Sequence, residues 1–394
     1  MAEKNLDFDT VINRRNTKCL KYDFARRRGY PENVLPLWVA DMDFRTSSYV
    51  EDAINGLAAH NIYGYTNNQD GDGFFEAVAG WMKKRHDWEV RHEWHVKTPG
   101  VCFAIGSAIR GLTEPGDAVI IEQPVYYPFA DIIRKNNRKL VVSELRQNDA
   151  GHYEMDFEDF ERRIQEENVR LFILCNPHNP VGRAWSREEL LTIGKICEKH
   201  GVTVFSDEIH FDFVWGGRHH IFQEVSEEFR EFTITATAPS KTFNLAGLQQ
   251  SNIFIPNAGI RRRVQLAIAQ TGYDEPNAAG LAAAQAAYEN GAEWFDAART
   301  YIRGNLDHLA EYVRDNIPGI CVTNTEATYL AWLDCRKLGL SETELEDRIV
   351  NKAGLWLDRG TMFGQGGEGF QRINVACPRS VLDEALQRLK DGLA

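Results

Sequence analysis

Two short apolar runs enclose one helix-patterned stretch, and this arrangement constrains the fold more than any other feature. Leu171-Phe172-Ile173-Leu174 reads as a buried strand stopped by Asn176-Pro177. Ser186 then opens a helix as N-cap, with Glu189 three residues on to complete a capping box. Leu190, Ile193 and Cys197 share one helical face, and Gly201 follows the last turn as a C′ residue should. Val202-Thr203-Val204-Phe205 is the next strand. A strand–helix–strand unit predicts a parallel sheet with a right-handed crossover. Ala118-Val119-Ile120-Ile121, after the turn Glu114-Pro115-Gly116-Asp117, and Phe232 to Ala236 add further strands.

The C-terminal hundred residues have a different rhythm. A long helical stretch, Trp294–Asn316, leads to strand-like Tyr329–Leu333, then to Phe370-Gln371-Arg372-Ile373-Asn374-Val375-Ala376 and a closing helix from about Pro378. This predicts three parts: an N-terminal segment 1–45 packing with a small domain, a large domain 46–290, and a small α/β domain 291–394. Leu35 to Val39 is too apolar to stay in water, which is why the N-terminal segment is expected to dock.

Composition narrows the function. The net charge of -12 argues against nucleic acid or an anionic membrane as partner. Seven cysteines without a C-x-x-C argue against a disulfide framework or zinc ribbon. With no apolar leader and no run long enough to span a bilayer, the reading is a cytoplasmic protein.

Three motifs fail on inspection. Gly364 to Gly369 spells G-x-G-x-x-G, but a strand follows where a dinucleotide fingerprint needs a helix. Asn68 to Gly73 resembles a calcium loop, yet Ala79 stands where the bidentate Glu belongs. His92 and His95 are spaced for one helix face without a third ligand, and read as a surface pair; no metal site is expected.

The chemistry lies at the strand ends. Asn176, Asp207 and Lys241 each follow a strand, separated by 31 and 34 residues, room for one crossover each. Ligands of open parallel sheets bind beyond the carboxyl ends of the strands. Alone, each residue has a plain reading: a turn, a strand-end cap, a surface charge. Together, an amine, a carboxylate and an amide suit pyridoxal 5′-phosphate: the amine for the aldehyde, the carboxylate for the pyridine nitrogen, the amide for the phenolate oxygen.

At these residues the chain resembles a known family. Asn176-Pro177-His178-Asn179-Pro180-Val181-Gly182, Ser206-Asp207-Glu208-Ile209-His210 and Ser240-Lys241-Thr242-Phe243-Asn244 are similar to the signature of fold-type I pyridoxal-phosphate enzymes of the aminotransferase class I/II group. Leu37 to Phe44, Trp215, Arg372-Ile373-Asn374 and Cys377-Pro378-Arg379-Ser380 resemble its cystathionine β-lyase (MalY/PatB-type C–S lyase) branch. The resemblance covers nearly the whole chain. It implies an α/β fold, with a mostly parallel seven-stranded sheet covered by helices and a smaller α/β domain.

The resemblance also implies roles. Gly100, Val101 and Cys102 would receive the cofactor phosphate at a helix N-terminus, where free N–H groups favour an anion. Tyr126, with Tyr127 as its packing rival, would stack on the pyridine ring. Ser240 and His210 would border the cofactor, and Tyr65 would reach the phosphate of a neighbouring subunit, making a homodimer with its active site at the interface. Arg372 would grip the substrate α-carboxylate near the backbone of Val39 and Ala40, with Asn176 alongside. Two departures count against a dicarboxylate aminotransferase. Thr242 to Asn257 holds no basic residue for the phosphate, and His210 stands where aspartate-type enzymes carry a tyrosine.

The expected activity is β-elimination from L-cystathionine or a related L-cysteine S-conjugate, giving a thiol, pyruvate and ammonia. Lys241 would be the general base and Asp207 the partner of the ring nitrogen. An L-amino acid aminotransferase using the same residues is the alternative. An added regulatory role in binding a transcription factor also occurs in this branch.

Overall fold

The computed structural model describes residues 3–67, 71, 73–148 and 151–393. Its centre is a seven-stranded sheet ordered His95–Thr98, Ser251–Phe254, Thr233–Thr237, Thr203–Asp207, Val169–Cys175, Ala118–Gln123, Lys139–Glu144. Ser251–Phe254 runs antiparallel to both neighbours, and the remaining pairs are parallel. The three expected strands before Asn176, Asp207 and Lys241 lie side by side in register: Cys175 opposite Asp207, and Asp207 opposite Ala236. Both faces of the central strands are apolar, so both must be covered. Phe172, Leu174 and Val204 face one buried cluster, while Leu171, Ile173 and Phe205 face another.

The crossover helix is Arg187–His200, with the Ser186–Glu189 capping box present and Gly201 at φ 66°. Ser186 Oγ accepts from Glu189 N at 3.2 Å, and Glu189 Oε2 accepts from Ser186 N at 2.8 Å. The later part of the chain contains the helix Ala292–Asn316, the closing helix Arg379–Leu393 and a four-stranded sheet. That sheet is ordered Cys321–Val322, Leu330–Asp334, Phe370–Asn374, Asp358–Arg359. The N-terminal segment reaches it: Leu35–Pro36 pairs in parallel with Leu355–Trp356, and Trp38 stacks on Trp356 at 4.6 Å.

The failed motifs resolve by packing. Gly364, at φ 97°, begins a tight turn, and a Cβ there would lie 2.2 Å from the Gln123 amide; the strand Phe370–Asn374 follows. Of the calcium-like loop, residues 68–70 and 72 lie outside the described residues. His92 and His95 do not share a helix, which corrects the surface-pair reading. His95 opens a strand, is half-buried, lies 3.0 Å from Asn252 Oδ1 and stacks near Phe254. Among the described residues there is no cluster of three metal-ligating side chains, and no helix long and apolar enough to cross a membrane. All seven cysteines are free.

Candidate active site

The strand Thr233–Thr237 ends against Pro239, which starts the one-turn helix Pro239–Thr242. Proline suits a first helical position because its missing N–H would be unpaired there anyway. The turn aims Lys241 into a cavity at the carboxyl end of the sheet. Val39, Ala40, Val101, Cys102, Tyr126, Asp207, His210, Lys241 and Arg372, all foreseen from the sequence, line it.

Lys241 Nζ donates to Ala40 O at 2.7 Å, and Tyr329 Oη donates to the same carbonyl at 3.0 Å. Burial pushes the Lys241 ammonium down to about 8; Asp41 pulls the other way and Arg372 reinforces the fall. Burial raises the Asp207 carboxyl to about 7, against the opposing effects of Ile209 N, which donates to Oδ1 at 3.1 Å, and of Lys241. The cavity therefore contains an amine and a carboxylate whose charged forms are both disfavoured by loss of water. A cationic ring nitrogen against Asp207 would restore its charge.

The helix Val101–Leu112 begins at the cavity with no side-chain cap on its first amides, and nothing lies within 4 Å of where a Gly100 Cβ would stand. An uncapped, open helix N-terminus suits a phosphate. Burial pushes the Cys102 thiol up to about 11, and the neighbouring Tyr126 hydroxyl well above its ordinary value. His210 is buried, its imidazolium strongly disfavoured, and its Nδ1 has no hydrogen-bond partner among the described residues. An orphaned buried nitrogen, an open helix end and a buried carboxylate with no salt bridge among the described residues fit pyridoxal 5′-phosphate.

Arg372 lies buried on the cavity wall. Nη1 donates to Asn179 Oδ1 at 2.9 Å, Nη2 donates to Trp38 O at 2.7 Å, and Asp358 pairs with the guanidinium. Its Nε has no acceptor among the described residues. Asn179 and Asp358 thus set the plane in which Arg372 is presented. Sequence reading missed both, as well as Tyr329. Asn179 stood inside the quoted Asn176–Gly182 stretch, but nothing local distinguishes Asp358.

Four foreseen residues lie outside the lining. Asn176 follows the strand that ends at Cys175: its N donates to Asp207 O at 3.0 Å, its Nδ2 donates to His220 O at 3.0 Å, and its Oδ1 is buried without a partner among the described residues. Ser240 precedes Lys241 with its carbonyl accepting from Leu245 N. Gly100 is the helix N-cap. Tyr65 lies outside any helix or strand, is 94% exposed, and does not line the cavity of its own chain.

Comparison with known proteins gives a consistent picture. The profile described as aminotransferase class I and II matches residues 32–389. Cystathionine beta-lyase PatB of Bacillus subtilis (strain 168) is 41% identical over 99% of this chain and 100% of its own. Protein MalY of Escherichia coli (strain K12) is 32% identical over 98% of each. The crystal structure of cystalysin from Treponema denticola, which contains a pyridoxal 5′-phosphate cofactor, superposes with a TM-score of 0.93 at 38% identity over 98% of each chain.

Proposed function

The chain belongs to the aminotransferase class I and II family, and from that premise we propose that it is a pyridoxal 5′-phosphate-dependent carbon–sulfur β-lyase. Its substrate is L-cystathionine or a related L-cysteine S-conjugate, converted to a thiol, pyruvate and ammonia. The observation that carries this reading is the convergence of Lys241 and Asp207 on one cavity beside an uncapped helix end. Full-length similarity to PatB supports the lyase over other chemistries of the fold.

When bound, pyridoxal 5′-phosphate supplies a conjugated electron-accepting ring that delocalises charge developed at the substrate Cα. The chain's own groups do the rest. Lys241 would be the amine that holds the cofactor aldehyde and, when free, would take the substrate Cα proton at Nζ. With its ammonium already weakened to about 8, a useful fraction is neutral near physiological pH. Asp207 would pair with the ring nitrogen and keep it protonated. Val101 and Cys102, behind the N-cap Gly100, would receive the phosphate, and Tyr126 would lie against the ring. Arg372, held by Asp358 and Asn179, meets the substrate carboxylate through its fork, with Val39 and Ala40 alongside. Val39 O and Asp41 O are in turn held by Asn374 Nδ2, at 2.7 and 2.6 Å.

The outward Tyr65 fits a homodimer in which it reaches the partner's phosphate site. A cytoplasmic enzyme acting on small amino acids, divided as 1–45, 46–290 and 291–394, accommodates the two sheets and the docked N-terminal segment. The decisive experiment measures pyruvate released from L-cystathionine without added keto acid. Steady release supports the lyase; release that requires a keto acid acceptor, with amino transfer to it, replaces the lyase by the aminotransferase.

A further inference from the structure

A second cavity, of about 330 Å³, opens where the end of the helix Phe74–His86, the loop 211–219 and the helix Ala292–Asn316 meet. Lys84, Arg85, Arg218 and Arg299 line it, with His86 and His219. The acids near it are already engaged. Asp87 pairs with Lys83 at 2.7 Å, Asp296 with Arg85 at 2.7 Å, and Asp212 accepts from Trp81, His86 and Thr242. Lys84, Arg218 and Arg299 form no salt bridge among the described residues, although Arg218 is near enough to Asp87 to help hold its carboxyl down.

Arg299 is held in place rather than left to wander. Its Nη2 donates to Val214 O and its Cζ lies 5.6 Å from the Trp215 ring centre. Nε of Arg299 and Nε of Arg85 are both buried, with no acceptor among the described residues. Like charges around one concavity repel, and a buried N–H without an acceptor is costly. A polyvalent oxyanion would relieve the repulsion, because guanidinium forks match its geometry.

We propose that this cavity is a ligand site for a small oxyanion of the phosphate class. Phe211 and Phe295 on its wall leave room for a small organic body attached to that anion. The site is wired to the catalytic turn. His86 Nε2 lies 2.8 Å from Asp212 Oδ1, and Thr242 Oγ1, next to Lys241, donates to Asp212 Oδ2 at 2.6 Å. On the other side His219 Nε2 lies 2.6 Å from Glu208, the neighbour of Asp207. An anion that draws these imidazoles toward the cavity shifts both anchors; this coupling, unlike the binding, rests on the proposed roles of Lys241 and Asp207.

Calorimetric titration of the holoenzyme with inorganic phosphate tests the site. Saturable binding of one anion per subunit is expected, competed by sulfate, and weakened at least about 10-fold in Arg218→Ala/Arg299→Gln. Because Arg299 also anchors Val214, the exposed Arg218→Ala alone serves as the second variant and should weaken binding measurably. Absence of saturable binding, or an unchanged Kd in both variants, overturns the site. Turnover unaffected by saturating phosphate overturns the coupling while the site stands. Absent turnover before phosphate is added speaks against the lyase reading instead.

Discussion

Lys241 and Asp207 are displaced in opposite directions by the same burial, and each displacement has a measurable sign. Replacing Lys241 with Ala should reduce pyruvate release to background, since no other amine lines the cavity among the described residues. Retained turnover would remove it from the mechanism. Asp207 offers a test on stability. Burial lifts its carboxyl from 3.8 to about 7, so the folded state binds the proton more tightly than the unfolded chain does. The destabilisation is absent below 3.8, grows between 3.8 and 7, and is complete above 7. In cofactor-free protein, Asp207→Asn should therefore stabilise by about 1–3 kcal/mol at pH 8 while abolishing turnover, a trade typical of active sites. Urea unfolding at pH 8 and pH 4 checks it: the difference should shrink at the lower pH.

At the scale of elements, the N-terminal segment is braced internally by charge where it borders the site. Lys21, fully buried, reaches Asp43 at 2.7 Å and Asp41 at 3.5 Å; Arg14 reaches Asp41 and Asp43, each at 2.6 Å. These pairs fix the stretch whose Ala40 carbonyl meets Lys241. Removing one member of a buried network strands the opposite charges. Lys21→Ala should cost about 3 kcal/mol by urea unfolding. It should also raise KM more than it lowers kcat, since the segment positions substrate. A fall in stability with unchanged KM would make the network purely structural. The crossover helix gives a milder case: Ser186→Ala loses the capping box and should cost about 1 kcal/mol with turnover intact.

For the whole molecule, the outward Tyr65 makes a prediction about assembly. If it completes the partner's site, mixed subunits of Tyr65→Ala and Lys241→Ala should recover activity that neither variant has alone. Mixtures no more active than their parents would confine the site to one chain. Much of the architecture was legible beforehand, for local reasons. The strand ending at Cys175, the capped helix from Arg187 and the strand ending at Asp207 each carry their own period and punctuation. The strand edges extended one or two residues further than the apolar runs, because Asp207 and Gln123 end strands without being apolar.

What the amino-acid order determined by itself was the α/β rhythm and the placing of Asn176, Asp207 and Lys241 at successive strand ends. Periodicity and turn chemistry act within a dozen residues, so they survive in the linear chain. Tertiary structure alone decided that Lys241 meets Ala40, 201 positions away, and that Arg372 meets Trp38, 334 positions away. It alone brought Asp358 to Arg372 and Asp212 to Thr242. Such pairings depend on which surfaces close together when the sheets and the N-terminal segment pack, and no local pattern encodes that choice.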